Sequence, residues 1–551
     1  MFVVSQPATD ADPRRTSGLV AGPERPLLCG WTASDTPETG SALNRKGTLQ
    51  LSLFPLEPRL SKSKYVSGLQ CHKRLYLEIY TPELATEHDE ETQARLDAGT
   101  DVGEVARRRF PGGVLVDYDR GNLTVALRRT EELINNPSIP AIFEATLKFE
   151  NVLVRVDILE RIADDRWRVI EVKASTRTKD VHLDDLAIQT HVAMGAGLRL
   201  EGIALMHLNR AYVYEGGKVD LDRLFVQQDL TVAILARLAE VPARLLSMKA
   251  MLTEPSAPDV EPGHHCHTPY VCPFWDHCTQ EKDPRWVFYL PGPKRTFERL
   301  AEQGVHTIDT IPGGFKLSDT QQRMKDNVEW IGPDLRAALQ AVRYPVHHLD
   351  FEGFMPAVPL FPGTRPYQTL PFQWSNHTEH EDGIVRHEEY LCADAGDPRE
   401  ELALALLRSV GREGSICVYS GYEWRILMDL ADALPRLKRE LSAVAARLWD
   451  LLPIVRRHYY HPGFEGSFSI KVILPALAPA LDYGNLEIAD GGLASLEYYR
   501  MAFGKTDAAE KTRIRASLLE YCKRDTLALL EIRKILLQKT LEPRDGNLTP
   551  V

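Results

Sequence analysis

The sequence predicts an α/β protein with two separate cores, and three observations carry that expectation. Residues 141–175, AIFEATLKFENVLVRVDILERIADDRWRVIEVKAS, read as three successive strands with Asp164 and Asp165 in a turn, followed by a helical stretch DLAIQTHVAMGAGL. A second series starts with the strand VHHLDFEGF, passes through ICVYSGY into a helix and ends on the helix LLEYCKRDTLALLEIRKILL. Four cysteines, Cys71, Cys266, Cys272 and Cys278, bracket the first series. At 551 residues the chain is too long for a single core, so several domains are expected.

In chain order, residues 1–58 are rich in Pro, Gly, Ser, Thr and charge without a period and are expected to form a disordered leader. Residues 59–290 hold the first series, 291–343 read as a short helical connector, and 344–540 form the second α/β domain. No apolar run approaches the ~20 residues needed to cross a bilayer, and the first residues lack a targeting pattern, so a cytoplasmic protein with no membrane association is expected. With 66 Lys and Arg against 77 Asp and Glu, the formal charge of −11 argues against a protein that coats nucleic acid by general electropositivity. It leaves room for an enzyme with a local basic groove.

Of eight cysteines, Cys29, Cys392, Cys417 and Cys522 stand singly and read as reduced, packed thiols. The other four want a metal centre rather than a disulfide in a chain of this kind. The C-x5-C-x5-C spacing of HHCHTPYVCPFWDHC, with Cys71 far upstream, is unlike the paired knuckles of structural zinc and favours an iron–sulfur cluster on four thiolates. A zinc site and unligated thiols are the alternatives. His264, His265, His267 and His277 could also ligate, although histidines beside thiolates more often act as outer partners.

Two groups of acids carry candidate chemistry. Strand alternation in RWRVIEVKAS puts Val169, Glu171 and Lys173 on one face, and Asp157 lies beside them if its strand pairs antiparallel through the Asp164–Asp165 turn. Two carboxylates suit Mg2+ or Mn2+, and a lysine beside them can orient water or stabilise charge on phosphate. In the second series, Asp350 and Glu352 are two apart on a strand, with His348 on the same face, while Tyr521 and Asp525 are four apart on a helix. Such a set can hold two divalent ions for in-line phosphodiester cleavage.

The first group resembles the PD-(D/E)XK nucleases, in particular the RecB-like branch with its Cas4-type iron–sulfur members. That resemblance implies a restriction-endonuclease-like fold in which Cys71, Cys266, Cys272 and Cys278 hold a [4Fe-4S] cluster that staples the domain ends. It also makes Asp157 and Glu171 metal ligands, with Lys173 and Gln189 completing the catalytic set. Ala193 stands where that branch carries an aromatic after its glutamine, and the early acid or histidine falls to Glu104 or Glu144.

The second group resembles the DnaQ-like DEDD exonucleases of the RNase H-like fold. This implies metal binding by Asp350, Glu352, Glu423 and Asp525, with Tyr521 orienting the attacking water. Glu423 takes the place of the usual middle aspartate, Asp450 is a second candidate, and Ser469 and Lys471 are implied phosphate contacts. Nearly everything after residue 60 resembles a bacterial family of the DUF2779 type that joins the two nuclease domains. The expected function is a Mg2+- or Mn2+-dependent DNA nuclease acting on ends or single strands, in repair, end-processing or defence. The alternatives are a nucleic-acid-binding scaffold with one or both centres inactive, and an RNA exonuclease.

Overall fold

The computed structural model describes residues 58–87, 89–117 and 122–541. The leader expected at 1–58 and Cys29 lie outside them, apart from Pro58. The chain is a mixed α/β protein with two principal sheets. No helix among the described residues is long and apolar enough to cross a membrane.

The first sheet contains β1 (Leu60–Ser61), β2 (Val114–Leu115), β3 (Ala141–Phe149), β4 (Val152–Ala163), β5 (Arg166–Lys173), β6 (Arg199–Leu208) and β7 (Phe225–Asp229). Its order is β2-β3-β4-β5-β6-β7, with β1 pairing parallel to the start of β4. The three expected strands are β3, β4 and β5, joined as an antiparallel meander. The helix Asp180–Gly195 then crosses over so that β6 lies parallel to β5. Apolar residues cover both faces of this meander. Val154, Val156 and Val169 pack with Leu186, Ile188 and Val192 on one side, and Ile158, Ile170 and Met206 with Val102 and Ala106 on the other. That two-sided burial explains why β3 reads as an apolar run with little alternation.

The second sheet contains β9 (Val346–Phe354), β10 (Leu370–Glu379), β11 (Val385–Leu391), β12 (Ser415–Val418) and β13 (Leu448–Asp450), in the order β11-β10-β9-β12-β13. Strands β9, β10 and β11 form an antiparallel meander, whereas β12 is parallel to both β9 and β13. One face is apolar, with Leu349, Phe351 and Trp374 against Leu402, Leu406, Ile426 and Leu427. The last helix, Ala508–Lys539, covers the other face. There Gln373 donates to the Leu518 carbonyl at 2.8 Å and the Ser375 and Thr526 hydroxyls lie 2.8 Å apart.

The stretch 291–343, expected as a small connector, is firmly packed. Leu300, Ile308, Met324, Leu335 and Leu339 share one apolar core with Cys266, Trp286, Tyr459 and Ile532. Its short strand β8 (Trp330–Ile331) pairs with β14 (Tyr459–Tyr460), beyond β13. Loops from the two sheets also meet. The Tyr214 amide donates to the Thr364 carbonyl, the Gly363 amide donates to the Tyr214 carbonyl, and the Tyr367 hydroxyl donates to the carbonyl of Ala174, next to Lys173.

Candidate functional site

Register brings the first acids together. The antiparallel ladder pairs Ile158 with Ile170, so Asp157 and Glu171 face each other one step further on. There the ladder gives way: the Val172 amide donates to Asp157 Oδ2 at 2.7 Å. Glu171 is 1% exposed and its Oε1 meets two cations, Lys62 at 2.8 Å and Lys173 at 2.7 Å, while Gln189 donates to Oε2 at 2.7 Å. Lys173 also reaches Asp185 Oδ2 at 2.6 Å.

Electrostatics in this pocket divide the two facing acids. Burial and the charge of Glu171 push Asp157 up to about 7. Burial acts on Glu171 in the same sense, but Lys173 and Lys62 outweigh it and hold that carboxyl well below the usual range. Burial would lower Lys62, yet Glu171 and Asp157 raise it to about 12.

Lys62, Asp185 and the placement of Glu144 were not anticipated. Lys62 arrives because β1 docks parallel to β4, starting its helix beside the acid strand. Asp185 lies one helical turn before Gln189, a spacing that marks it as a neighbour. Of the two early-acid candidates, Glu104 is exposed on the helix Glu90–Arg107. Glu144 sits across β3–β4 from Asp157 with φ +55°, its carboxylate held by Arg107 at 2.7 Å and Arg155 at 3.0 Å.

The four bracketing thiols are free, and they lie near enough for their charges to act on one another. Cys71 occupies the break between the helices Lys62–Gln70 and His72–Tyr80. The neighbouring Gln70 donates to the carbonyls of His265 and Tyr270, both at 2.7 Å, tying this break to the cysteine loop. Inside the loop the Cys272 amide donates to the Cys266 carbonyl at 2.7 Å. Burial raises the Cys266 thiol, and the negative charges of Cys71 and Cys278 add to it; Cys278 is raised by burial and by Cys71 in turn. Burial moves Cys272 up to about 11, with Cys266 and Cys278 contributing. His264 and His267 pack, with tilted rings, against aromatic neighbours, Phe288 at 4.9 Å and Trp275 at 4.4 Å. His265 Nε2 lies 3.6 Å from Cys266 Sγ, and His277 is partly buried.

In the second sheet, Asp350, Glu352 and Asp525 each offer an oxygen within 4.8 Å of the others. Among the described residues this is the grouping in which three potential metal ligands approach so closely. Strand alternation presents the first two on the face that the last helix covers, and one turn of that helix brings Tyr521 beside Asp525. Burial drives all three carboxyls up, and at Asp350 and Glu352 the neighbouring acids add to it. Asp350 is raised by burial, Asp525, Glu352 and Glu423; Glu352 by burial and Asp525; Asp525 reaches about 6. Tyr483 donates to Asp525 Oδ1 at 2.6 Å, and the Lys471 ammonium lies 5.3 Å from the Tyr521 ring centre and lowers Glu352 and Asp525.

Glu423 is 2% exposed and its Oε2 has no hydrogen-bond partner. Burial, then Asp450, pushes it up to about 8. The turn before it is strained, with Ser420 at φ +128°, and the Ser420 amide donates to Asp450 Oδ1 at 3.1 Å. Asp450 also caps the helix Leu451–His458 through the Leu452 amide at 3.0 Å, so its carboxylate is engaged in holding the turn. Ser469 is the N-cap position of the helix Ile470–Leu477 that carries Lys471. Gly491 opens another helix where a Cβ would lie 3.5 Å from Glu352 Oε2, keeping that side of the pocket clear.

Residues 347–469 match a family described as "Domain of unknown function (DUF2779)". That span contains Asp350, Glu352, Glu423 and Asp450 and ends before Tyr521 and Asp525. No curated protein matches the chain.

Proposed function

We propose that the protein is a metal-dependent nuclease with two centres, acting on DNA ends or single strands. The observation that carries this reading is the convergence of Asp350, Glu352 and Asp525 within 4.8 Å in a buried setting that penalises their charge. Such a set of oxygens fits Mg2+ or Mn2+, held by these three with Glu423 as a further ligand. Bound there, the ion supplies Lewis-acid activation of water and stabilises charge on the leaving oxygen.

The chain's own groups complete the site. Tyr521, beside Asp525, is placed to orient water, while Tyr483 fixes the Asp525 carboxylate by donating to it. Lys471 provides positive charge at the tyrosine pair, suited to a phosphate oxygen. The strand order β11-β10-β9-β12-β13 supports reading this half as RNase H-like.

For the first half, the meander, crossover helix and parallel strand support a PD-(D/E)XK-like reading, with Asp157 and Glu171 as metal ligands. Lys173 then acts on water or phosphate, and Gln189 orients Glu171. Cys71, Cys266, Cys272 and Cys278 are proposed to hold a [4Fe-4S] cluster whose role is to tie the ends of this half together. A specific observation also favours a second reading, a nucleic-acid-binding role without cleavage in the first half: Glu171 is already neutralised by two lysines.

Anaerobically purified protein incubated with labelled single- and double-stranded DNA and RNA, with Mg2+ or Mn2+, tests the proposal. Wild type is expected to cleave DNA, and Lys173→Ala and Asp350→Ala assign the products to one centre or the other. Binding without products on every substrate would establish the scaffold, and preference for RNA would redirect the substrate.

A further inference from the structure

The two acidic centres differ in what already sits on their carboxylates. Among the described residues, Asp350, Glu352 and Asp525 form no ion pair. Glu171 of the first centre is covered: its Oε1 accepts from Lys62 at 2.8 Å and from Lys173 at 2.7 Å, and its Oε2 accepts from Gln189 at 2.7 Å. A divalent ion that takes Glu171 as a ligand therefore meets two ammonium groups and must drive one off, since like charges at such range repel strongly.

The two lysines are not held alike. Lys173 also binds Asp185 Oδ2 at 2.6 Å and stays paired if it loses Glu171. Among the described residues, the Lys62 ammonium hydrogen-bonds to Glu171 alone. Its side chain is 24% exposed against 1% for Glu171, so it lies on the solvent side of the acid, where a polyanion arrives. The backbone beneath it is fixed. Leu60 and Ser61 pair with Val152 and Leu153, and Ser61 caps the helix by accepting from the Lys64 amide at 3.3 Å. Only the flexible four-carbon stem has to move. Fully ionised, the pocket sets Lys62 and Lys173 against Asp157, Glu171 and Asp185. A divalent ion turns that deficit of one charge into an excess of one, which a phosphodiester cancels.

We infer that Lys62 guards Glu171 against divalent ions until a phosphodiester draws its ammonium away, so that metal and nucleic acid load the first centre together. The inference rests on the nuclease reading of that pocket. Coupling of this kind is reciprocal: whatever the nucleic acid does to metal affinity, the metal does to nucleic-acid affinity.

The test uses full-length protein carrying Asp350→Asn and Asp525→Asn as the parent, so that bound Mn2+ reports the first centre. Free Mn2+ is followed by electron paramagnetic resonance, with and without a single-stranded 12-mer whose phosphorothioate linkages resist cleavage. Lys62→Met and Lys62→Gln both remove the charge, and either one, once shown folded by circular dichroism, decides. Without the oligonucleotide they are expected to bind Mn2+ about tenfold more tightly than the parent. The oligonucleotide is expected to tighten Mn2+ binding about tenfold more in the parent than in the variants, so that the affinities converge. Glu171→Gln is expected to abolish the uptake; an ion that survives this change sits elsewhere and overturns the inference. Neutral variants that bind Mn2+ no better than the parent also overturn it, as does an oligonucleotide effect of equal size in all proteins. Either result leaves the nuclease reading standing. Mn2+ bound by none of them, with or without the oligonucleotide, fails the nuclease reading of the first half and the inference with it. Mn2+ bound by the neutral variants alone overturns the inference as well, because the phosphodiester then draws nothing away.

Discussion

Replacing Asp525 with asparagine should make the metal-free protein more stable while destroying its response to divalent cations. In the folded chain burial raises the Asp525 carboxyl to about 6 from its ordinary 3.8. Because the folded state holds this proton more tightly than the unfolded state, the ionised carboxylate opposes folding, and the penalty grows as pH rises from about 4 and levels off above about 6. The difference corresponds to about 3 kcal/mol at pH 8 and about 1.5 kcal/mol at pH 5. Asparagine removes the charge and keeps an oxygen to accept from Tyr483. Thermal unfolding in EDTA is therefore expected to shift upward by roughly 6–12 °C at pH 8 and by about half that at pH 5. Adding Mn2+ should stabilise wild type at pH 8 and leave Asp525→Asn almost unmoved, since binding to the folded state is what raises Tm. A variant less stable than wild type in EDTA at pH 8, or one with an undiminished Mn2+ response, would refute the idea that repulsion among these acids is held for a cation.

Other outcomes follow from the same electrostatics. Lys62→Met removes one of two cations from buried Glu171 and should cost about 1–3 kcal/mol at pH 7 in denaturant titrations. Because Glu171 is held low, that stabilisation is present above about 4.5 and should fade as pH falls through the folded value. Glu423→Gln, studied with Lys173→Ala so that only the second centre turns over, should lower cleavage and flatten the rise in rate between pH 6 and 9, because Glu423 titrates near 8. An unchanged pH profile would remove Glu423 from the site. Cys272→Ser should abolish the brown colour and iron content of anaerobic protein and lower the stability of the first half; stoichiometric zinc in wild type would overturn the iron assignment.

What the sequence revealed depended on the range of the interaction. Asp350 with Glu352, and Tyr521 with Asp525, were legible because strand and helix periods place each pair on one face regardless of what packs nearby. That Asp157 and Glu171 lie on adjacent antiparallel strands was legible from the Asp164–Asp165 turn, but their direct opposition was not: the turn pairs Ala163 with Arg166, and a bulge between Arg161 and Ala163 then shifts the ladder by one residue. Lys62 was not, since its contact with Glu171 spans 109 residues and depends on β1 docking beside β4. Glu144 was ambiguous because nothing local predicts a left-handed residue inside a strand. The packing of 291–343 went unseen for a different reason: Leu300, Val305, Ile308 and Ile311 are too sparse to announce a core alone and bury themselves only against Trp286 and its neighbours. Asp185 could have been found from its one-turn spacing to Gln189.

The most direct measurement is the anomalous scattering of a crystal grown with Mn2+. The account predicts a manganese peak bonded to oxygens of Asp350, Glu352 and Asp525, lost in the Asp525→Asn protein. Clear density for the three carboxylates with no ion between them, at saturating Mn2+ and pH 8, would contradict it.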